Sequence, residues 1–347
     1  MGKDFKIVFL IIDYVPHQVN SISSFIELYD ANILSFNVGR FIKKVPLFKN
    51  FTNFYYKDLK KEDILEKIII FQPDIVVTAG WMIPEYNWIC KHLKKRSAIP
   101  IVAMSDTPWY GTWKQKINTA IAPFHIKKAF THLWVAGIRQ YDYARKLGFT
   151  NQKILFNSLS ANINNFYKVS IVEKRKDYPR NFLFIGTFLP VKGLENLIAA
   201  WSSIEDKKGW SFTVVGEGLL REKLLTADFI VKNFMSQEEL VLQLQTAGCF
   251  VLPSLKETWA IVIHEAAAAG LPILCTETCG AASHFVISNY NGYHIKDNSV
   301  MDLKMKLEKI INMDNTELIK FSERSRGLSN VISPEIHVAS LMQLLNA

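Results

Sequence analysis

Two glutamates eight residues apart are the part of this 347-residue chain where residue type and spacing point most directly to chemistry. Glu257 precedes, and Glu265 lies within, an apolar run that includes Ile261, Val262 and a series of alanines, and this run predicts a buried helix. A helix rises ~1.5 Å per residue, so the two carboxylates would lie roughly 12 Å apart along its axis. That separation is too large for sharing one proton or one metal ion, but it suits holding both ends of an elongated ligand.

The predicted start of this helix adds a place for negative charge. We expect Glu257 in the preceding loop and Glu265 about two turns inside the helix, with the unpartnered N–H groups of the first turn facing a phosphate between them. A ligand with a sugar at each end and a diphosphate in the middle is a nucleotide sugar. Alternatively, Glu257 is only a favourable acid near a helix N-terminus. Glu265 does not fit that alternative, because lone carboxylates are rare in buried helices.

Three segments ahead of the glutamate pair carry weaker signals. Gly186 follows a predicted strand and would let the backbone approach a ligand, while Lys192, in the same loop, could reach a phosphate. A second strand ends in a glycine turn at Gly216, and Ser236 with Glu239 forms a capping-box pattern that predicts a helix start. None of these segments matches the Walker or dinucleotide-binding spacing. Their order along the chain, rather than any one of them, indicates a ligand site.

Short apolar runs alternate with helical patterns along the whole chain, as is typical of parallel sheets with crossover helices. The predicted strands are Ile7–Ile12, Ile33–Phe36, Ile75–Thr78, Ile99–Met104 and Leu133–Val135, then Asn181–Gly186, Ser211–Val215, Phe229–Val231, Cys249–Leu252 and Leu271–Cys275. We therefore predict an α/β protein of two Rossmann-like, doubly wound parallel-sheet domains, residues 1–168 and 169–333, facing a central cleft. The charged stretch Val172–Arg180 would be the linker, and residues 334–347 would pack back on the first domain.

Composition sets limits on the class of protein. With 49% hydrophobic and 21% charged residues the chain is typical of globular domains. Its apolar opening, residues 5–12, is too short to span a bilayer and predicts a buried first strand. The cysteines form no CxxC pair, so we expect reduced, mostly buried thiols in a cytoplasmic protein; they are Cys90, Cys249, Cys275 and Cys279.

The net charge of +9 is concentrated in the first half of the chain. Residues 1–167 carry 22 Lys and Arg against 12 Asp and Glu, whereas residues 168–347 carry 19 against 20. An anionic partner is therefore expected on the N-terminal side: nucleic acid, a phospholipid surface or a phosphorylated acceptor. That half has no helix-turn-helix, zinc or RNA-binding signature, so a nucleic-acid partner is not expected.

Taken in order, these segments resemble the family 4 (group 1) retaining glycosyltransferases, which have the two-domain GT-B fold. The resemblance covers nearly all of residues 100–295 and is carried by FIGTFLPVKGLENLI, FTVVGEGLLREKL, FMSQEELVLQLQTAGCFVLPSLKETWAIVIHEAAAAGLPI, CGAASHFV and NGYHI. Upstream, WYGTWKQ and VAGIRQYDYARKLGF resemble a subgroup found in bacterial surface-polysaccharide assembly, which includes lipopolysaccharide.

The resemblance implies roles for individual residues. Glu257 would hold hydroxyls of the donor sugar, Glu265 the ribose, and Lys192 the diphosphate. Backbone N–H groups of the motif helix would assist the lysine, and main-chain groups of a short loop would face the base. The remaining donor-binding positions implied are Gly186, Thr187, Gly216, Asn233, Phe234, Met235, Thr258, Trp259, Ala260, Ile261 and Val262.

Three positions depart from the family pattern. The usual Arg after the first-loop glycine is Thr187, which removes one phosphate-binding charge. The usual Gly-Phe-Gly before the motif helix is Thr258-Trp259-Ala260, which would narrow the space beside the sugar. The usual His-Asp pair of the N-terminal domain is Ser105-Asp106. These changes bear on donor identity and rate more than on the class of reaction.

The implied mechanism is transfer with retained stereochemistry, in which the acceptor hydroxyl attacks from the front face without an enzymic nucleophile. Lys192 and the helix N-terminus would stabilise the departing diphosphate. The chain has no Asp-x-Asp pair, so neither a metal ion nor another cofactor is expected. Asp106 is the candidate for orienting or deprotonating the acceptor; alternatively it is a turn or helix-capping aspartate.

The basic first half then suggests a membrane partner. Basic and aromatic residues alternate from Arg40 to Lys61, and a second cluster runs from Lys114 to Lys128. Such segments suit an anionic bilayer, here the inner face of the plasma membrane, where a lipid-diphosphate-linked glycan would be the acceptor. The alternative is an ordinary solvated loop with a few buried aromatics. The residues of the first segment are Lys43, Lys44, Lys49, Lys57, Lys60 and Lys61 with Phe41, Phe48, Phe51, Phe54, Tyr55 and Tyr56.

Two other functions fit the same fold. A nucleotide-sugar epimerase would need acid and base groups around the sugar and no acceptor surface, and the spacing of the two glutamates disfavours it. A non-catalytic GT-B scaffold for an assembly complex would be consistent with the absence of the usual Arg and His.

Overall fold

A computed structural model describes residues 5–39 and 47–345. The chain divides into two compact units, Met1–Ser160 with Pro334–Ala347, and Ala161–Ser333. Each unit is built on one parallel β-sheet with helices in the crossover connections. The predicted fold class, two Rossmann-like α/β units, is confirmed.

The first unit contains a seven-stranded sheet. Its strands are β1 (Lys6–Ile11), β2 (Asn32–Asn37), β3 (Phe51–Tyr55), β4 (Ile75–Thr78), β5 (Ile101–Ser105), β6 (His132–Val135) and β7 (Ile154–Leu155). They lie in the order β3-β2-β1-β4-β5-β6-β7. The helices are α1 (Pro16–Tyr29), α2 (Lys61–Phe71), α3 (Pro84–Arg96), α4 (Trp113–Ile121), α5 (Ile126–Ala129) and α6 (Ile138–Lys146), with 3-10 turns at Tyr56–Asp58, Ala122–Phe124 and Asn151–Lys153.

The second unit contains a six-stranded sheet. Its strands are β8 (Asn181–Ile185), β9 (Ser211–Val215), β10 (Ile230–Lys232), β11 (Cys249–Leu252), β12 (Ile273–Thr276) and β13 (Gly292–Ile295), in the order β10-β9-β8-β11-β12-β13. The helices are α7 (Ile163–Phe166), α8 (Ile171–Lys176), α9 (Leu194–Ser202), α10 (Arg221–Leu225), α11 (Gln237–Gln245), α12 (Ile261–Ala268), α13 (Ala282–Phe285), α14 (Val300–Ile311) and α15 (Asn315–Ser329), with 3-10 turns at Pro190–Lys192 and Asn330–Ile332.

In both sheets the strand order reverses beside the first strand. The first sheet grows outward from β1 through β2 to β3, then resumes on the other side of β1 with β4. The second sheet does the same around β8, with β11 on its other side. In doubly wound sheets, ligands bind at such a reversal, outside the carboxyl ends of the strands. The loops after β1, β4, β8 and β11 are therefore the places to look for function.

The predicted strands are present, with ends that differ by at most two residues. Ile75–Thr78, Ser211–Val215 and Cys249–Leu252 match their predicted bounds. Three strands were not predicted: β3, β7 and β13. The strand β7 has only two residues, and β3 and β13 lie at sheet edges, where a continuous apolar run is not required.

The prediction that Val172–Arg180 is a linker is wrong. Helix α8 begins at Ile171 after a Ser170 cap, and the buried Lys174 donates to the carbonyls of Leu244 and Ala247 at 2.9 and 2.8 Å. This segment is therefore part of the second unit. The change between units falls at 160/161 rather than at 168, because residues 161–168 include Ile163 and Phe166, which are buried in the second unit.

The last helix, α16 (Pro334–Met342), belongs to the first unit and packs on α1. His337 holds it there through both ring nitrogens: Nε2 lies 2.7 Å from the Ser21 hydroxyl, and Nδ1 lies 2.7 Å from the Asn157 carbonyl. Val338 and Leu341 are fully buried in the same core.

Two global predictions concern membranes and thiols. Within residues 5–39 and 47–345, no helix is both long enough and apolar enough to cross a bilayer. All four cysteines are buried thiols that form no disulfide, as predicted.

Candidate functional site

In the second unit, the loops that follow β8 and β11 lie against each other at the strand-order reversal. The Val191 carbonyl accepts hydrogen bonds from the backbone N–H groups of Leu255 and Lys256 at 2.9 and 3.4 Å. Gly193 lies so near Pro253 that a Cβ at position 193 would be 2.0 Å from the Pro253 carbonyl oxygen, and its φ is +71°. Only glycine fits this position without a shift of backbone.

The loop after β9 joins the same cluster. A Cβ at Gly216 would lie 1.9 Å from the Gly186 carbonyl oxygen, and the Phe188 N–H donates to the Glu217 carbonyl at 2.7 Å. The loops after β8, β9 and β11 are therefore joined by backbone contacts. Thr187, at the position where the family pattern has Arg, is exposed in this cluster.

Lys192 and Glu257 meet where the loop after β8 contacts the loop after β11. The Lys192 Nζ lies 2.5 Å from Glu257 Oε2, and the side chains are 21% and 13% exposed. The other carboxylate oxygen, Oε1, accepts a hydrogen bond from the Thr258 N–H at 3.1 Å. The cation and the acid that the sequence assigned to separate parts of a ligand thus contact one another directly.

Glu265 lies nearer the helix start than predicted. Helix α12 begins at Ile261, so Glu265 is its fifth residue, just over one turn inside rather than two. The helix starts late because Ala260, its N-cap residue, has a left-handed backbone with φ +71°. No side chain of the described residues caps this terminus and its first turn holds no acid, so the N–H groups of Ile261 and Val262 are available to an anion.

The Glu265 carboxyl is buried, and burial raises its pKa to about 7. A hydrogen bond from Gln237 Nε2 at 3.3 Å opposes this shift. Gln237 is the first residue of α11, whose Ser236–Glu239 capping box is present as predicted. The start of α11 therefore approaches Glu265 at α12, and Asn233–Met235 are the residues just before that start.

Trp259 does not occupy the space that was expected beside the sugar. Its ring is buried and packs against His284, with ring centroids 5.3 Å apart. Its carbonyl accepts a hydrogen bond from the Ala281 N–H at 2.8 Å. Trp259 therefore anchors the loop to the body of the second unit, and the residues on either side of it, Thr258 and Ala260, are partly exposed.

The first unit has a separate cavity of about 620 Å³ at its own strand-order reversal. Asp106, which directly follows β5, lines it, and Trp81, which follows β4, lies in the same wall. The Asp106 side chain accepts a hydrogen bond from the Thr107 hydroxyl at 3.4 Å, while its carbonyl accepts one from Gln140 Nε2 at 3.0 Å. A carboxylate and an indole in one cavity are groups that bind sugar hydroxyls and the apolar faces of sugar rings.

His17 lines the same cavity and was not identified from the sequence. Burial lowers its pKa to about 4, so the ring is neutral at physiological pH. Ligands of doubly wound sheets bind beyond the carboxyl ends of the strands at the strand-order reversal. His17 and Trp81 both lie shortly after strands that flank the reversal, so this rule would have identified them.

The first basic and aromatic segment, Arg40–Lys61, is partly built into the fold. Phe48 and Phe51 pack on one core cluster of the first unit, and Phe54 and Tyr56 pack on the other. Its aromatics are therefore partly buried, as in the alternative that the sequence left open. The predicted members Arg40, Phe41, Lys43 and Lys44 lie outside the described residues.

Part of the second unit matches a known family. Residues 168–326 match the family model of glycosyl transferases group 1. An uncharacterized glycosyltransferase of Methanocaldococcus jannaschii is 32% identical over 201 residues, 53% of this chain and 54% of that protein. The N,N'-diacetylbacillosaminyl-diphospho-undecaprenol alpha-1,3-N-acetylgalactosaminyltransferase of Campylobacter jejuni is 24% identical over 191 residues, 51% of this chain and 50% of that protein. The chain spans about half the length of these curated relatives.

A solved structure extends the fold comparison to nearly the whole chain. Anabaena HepE, in a crystal structure with UDP and glucose, superposes with a TM-score of 0.75 over 99% of this chain and 100% of that chain. The sequences are 13% identical, so the similarity concerns the fold, which is GT-B as predicted.

Proposed function

We propose that this chain is a retaining, family 4 glycosyltransferase that moves a sugar from a nucleotide-sugar donor to a glycan acceptor, as the match of residues 168–326 to the group 1 family model supports. One observation carries the proposal: Lys192 and Glu257 are in contact at the strand-order reversal of the second unit, where doubly wound sheets bind ligands.

Donor binding would begin with an exchange of partners. The Lys192 ammonium would leave the Glu257 carboxylate for a diphosphate oxygen, since a phosphate offers a charge-assisted contact at least as strong. Glu257 would then accept hydrogen bonds from the donor-sugar hydroxyls. In the absence of donor, the ion pair therefore neutralises the charges of both Lys192 and Glu257. The donor would then provide each side chain with a new partner.

The leaving diphosphate would gain its stabilisation from fixed groups. The N–H groups of Ile261 and Val262 and the positive end of α12 would bear on it together with Lys192. Thr187 supplies no charge, so Lys192 would be the main cation at this end of the loop. The bond from the anomeric carbon to the donor phosphate breaks as the bond to the acceptor oxygen forms on the same face. We propose that this step needs no metal ion.

Glu265 would hold the ribose. A buried carboxyl whose pKa is about 7 is half neutral near physiological pH, and two ribose hydroxyls donating to it would favour the ionised form. In the first unit, Asp106 would orient or deprotonate the acceptor hydroxyl, with Trp81 against a sugar ring.

The acceptor and its setting are proposed from relatives. The name of the Campylobacter enzyme specifies a diphospho-undecaprenol-linked sugar as acceptor, which supports a lipid-diphosphate-linked glycan here. UDP in the HepE structure supports a nucleoside diphosphate as the donor scaffold. The corresponding role is surface-polysaccharide biosynthesis, including lipopolysaccharide, at the cytoplasmic face of the plasma membrane.

The test is turnover by purified protein. A panel of UDP-, GDP- and dTDP-sugars is screened for the one that raises the melting temperature, because a ligand bound only to the native state stabilises it. That donor is then assayed for transfer or hydrolysis, with and without EDTA, and the product anomer is assigned by NMR. Glu257→Gln should abolish turnover, whereas Glu195→Gln, which removes an acid from an exposed ion pair with Lys223, should not.

Each outcome of this experiment discriminates among functions. Retained turnover in Glu257→Gln would overturn the assignment of the donor site. Conversion of the donor to another sugar nucleotide without acceptor would identify an epimerase. Donor binding without turnover, with any acceptor tried, would favour a non-catalytic scaffold. An inverted product would refute the retaining mechanism.

A further inference from the structure

Helix α4 turns its apolar side to solvent. Trp113, Ile117 and Ile121 follow one another at four-residue spacing and so share one face; they are 67%, 52% and 45% exposed. Phe124, in the 3-10 turn that follows, is 70% exposed. These four exposed residues, three on one helix face and one in the turn that continues it, form an apolar stripe of the kind that surface helices of globular domains normally bury.

The polar side of α4 is the one that faces inward. Gln115 is buried; its Nε2 donates to the Pro108 carbonyl at 2.8 Å, and its Oε1 accepts from the Tyr110 N–H at 2.8 Å. At the other end, Ala122 and Ile126 are buried in the core of the first unit. The outward orientation of the stripe is therefore fixed by hydrogen bonds and packing on the opposite side.

The chain around the stripe is strongly basic. Between Glu85 and Asp142 the sequence has nine Lys and Arg and one acid, Asp106. The nine are Lys91, Lys94, Lys95, Arg96, Lys114, Lys116, Lys127, Lys128 and Arg139. Throughout the described ranges no carboxylate forms a salt bridge with Lys114, Lys116, Lys127 or Lys128, all of which are exposed.

These lysines lie next to the exposed rings. The Lys114 Nζ is 5.7 Å from the Trp113 ring centroid, and the Lys128 Nζ is 6.0 Å from that of Phe124. The end of α3 extends the basic surface: the Lys94 Nζ donates to the carbonyls of Lys127 and Phe130 at 2.6 and 2.7 Å. We call Trp113, Ile117, Ile121 and Phe124 with Lys114, Lys116, Lys127 and Lys128 the α4–α5 surface.

We propose that the α4–α5 surface docks on an anionic lipid bilayer. An apolar stripe with a lysine beside the exposed ring at each end matches a bilayer interface, where Trp, Ile and Phe enter the acyl boundary and ammonium groups meet lipid phosphates. Nucleic acid matches less well, since it provides no apolar phase for two isoleucines. The uncompensated positive charge supplies the complementarity to anionic headgroups.

The location of this surface links it to the proposed acceptor. Lys114 and Gln115 of α4 also line the cavity that contains Asp106. A bilayer docked at α4 would therefore lie beside that cavity, where a lipid-diphosphate-linked sugar would be presented. This link to the acceptor rests on the proposed function, whereas the docking itself does not.

The experiment is co-sedimentation of the full chain with vesicles of phosphatidylcholine alone and vesicles in which a third of the lipid is phosphatidylglycerol. The apolar variant is Trp113→Ser/Ile117→Ser/Phe124→Ser, and the charge variant is Lys114→Glu/Lys116→Glu/Lys127→Glu/Lys128→Glu. Matched controls replace exposed residues of the second unit: Val172→Ser/Leu242→Ser/Met301→Ser, and Lys176→Glu/Lys208→Glu/Lys309→Glu/Lys320→Glu.

We expect binding to the anionic vesicles that weakens with salt, and at least about tenfold loss of binding in both surface variants but in neither control. Equal loss in the controls, or binding retained in the surface variants, would overturn the proposal. The proposal would also be overturned if, without vesicles, the parent protein were a dimer and the apolar variant a monomer. A second copy of the chain would then be the partner of this surface. Donor binding and donor hydrolysis are measured on the parent protein and on the same variants. If the parent neither binds nor hydrolyses a donor, the enzyme assignment is rejected, but the vesicle result still stands.

Discussion

The Lys192 ammonium lies 2.5 Å from the Glu257 carboxylate, across two loops that follow neighbouring strands β8 and β11. If Lys192 moves to the diphosphate when the donor binds, Lys192→Met should weaken nucleotide-sugar binding at least about tenfold, the value of one lost charge-assisted contact. Glu257→Gln should instead leave binding within a few fold and abolish turnover, because its contacts are made to the sugar. Calorimetry with the stabilising nucleotide sugar and a transfer assay check both statements.

The control for this pair is a second Lys–Glu contact in the same unit. Lys223 Nζ lies 2.6 Å from Glu195 Oε1, but both side chains are more than half exposed. Lys223→Met should change neither binding nor turnover, since exposed ion pairs contribute little. A similar loss of binding in Lys223→Met and Lys192→Met would mean that the effect is electrostatic at long range and not local.

Glu265 should make donor binding depend on pH. Burial holds its pKa at about 7, and the ionised form is the one that accepts two ribose hydroxyls. Affinity for a nucleotide sugar, whose diphosphate does not titrate here, should therefore rise about tenfold from about pH 6 to about pH 8. The rise should be absent in Glu265→Gln. A parallel rise in the variant would assign the titration to another group.

Ionisation of Glu265 should lower the stability of the unliganded protein as pH rises, whereas it raises the affinity for the donor. The folded pKa of Glu265 is above its ordinary value of 4.5, so its favourable contribution is complete below that value and is lost as pH rises through about 7. Relative to Glu265→Gln, the parent should lose free energy of unfolding, on the order of 1–3 kcal/mol, between about pH 5 and about pH 8. Chemical denaturation without ligand at both values measures the difference.

Gly193 tests whether the loop contact positions Lys192. Gly193→Ala introduces a Cβ that would lie 2.0 Å from the Pro253 carbonyl oxygen, at φ +71°. Gly209→Ala is the matched control, because φ there is +76° and no atom lies within 4 Å of the added Cβ. The control should lose about 1–2 kcal/mol from backbone strain, and Gly193→Ala a further ~1–3 kcal/mol from the clash, together with turnover. Equal losses of stability in Gly193→Ala and Gly209→Ala would show that the loops after β8 and β11 can separate without a loss of free energy.

The sequence predicted the architecture because buried parallel strands need continuous apolar runs. Ser211–Val215 and Cys249–Leu252 were bounded correctly on that basis. It failed at α8, where the charged Lys174 and Arg175 suggested a linker. Lys174 is buried because two carbonyls, at the end of α11 and just beyond it, accept its ammonium, and such a long-range contact leaves no local signal.

The sequence placed the candidate residues in their loops but did not predict the contacts between them. Motif order placed Lys192 and Glu257 in loops after two strands, but the adjacency of β8 and β11 depends on sheet order. Trp259 was expected beside the sugar from its position in the motif, whereas the left-handed backbone at Ala260 and packing on His284 bury its ring. Side-chain direction in an irregular loop is set by such tertiary contacts.

Asp106 is the group whose two alternatives, acceptor contact or turn residue, differ most in their consequences. As an acceptor contact, Asp106→Asn should lower transfer at least about tenfold with nucleotide-sugar binding unchanged, as expected for loss of a general base or orienting group. If Asp106 is only a turn residue, Asp106→Asn should lower the melting temperature and leave the transfer rate per folded molecule unaltered. Asp142→Asn, an exposed acid on α6 of the same unit, is the control.

The pH dependence of transfer separates Asp106 from its cavity neighbour. His17 lines the same cavity, but its pKa of about 4 keeps it neutral across the assay range. At saturating donor, where Glu265 is already ionised by the bound ribose, His17 should therefore add no change in rate between about pH 6 and about pH 8. His17→Gln should shift the Michaelis constant for the acceptor without changing the shape of the pH profile. A limb of the pH profile that disappears in His17→Gln would identify this histidine as the titrating base of the transfer.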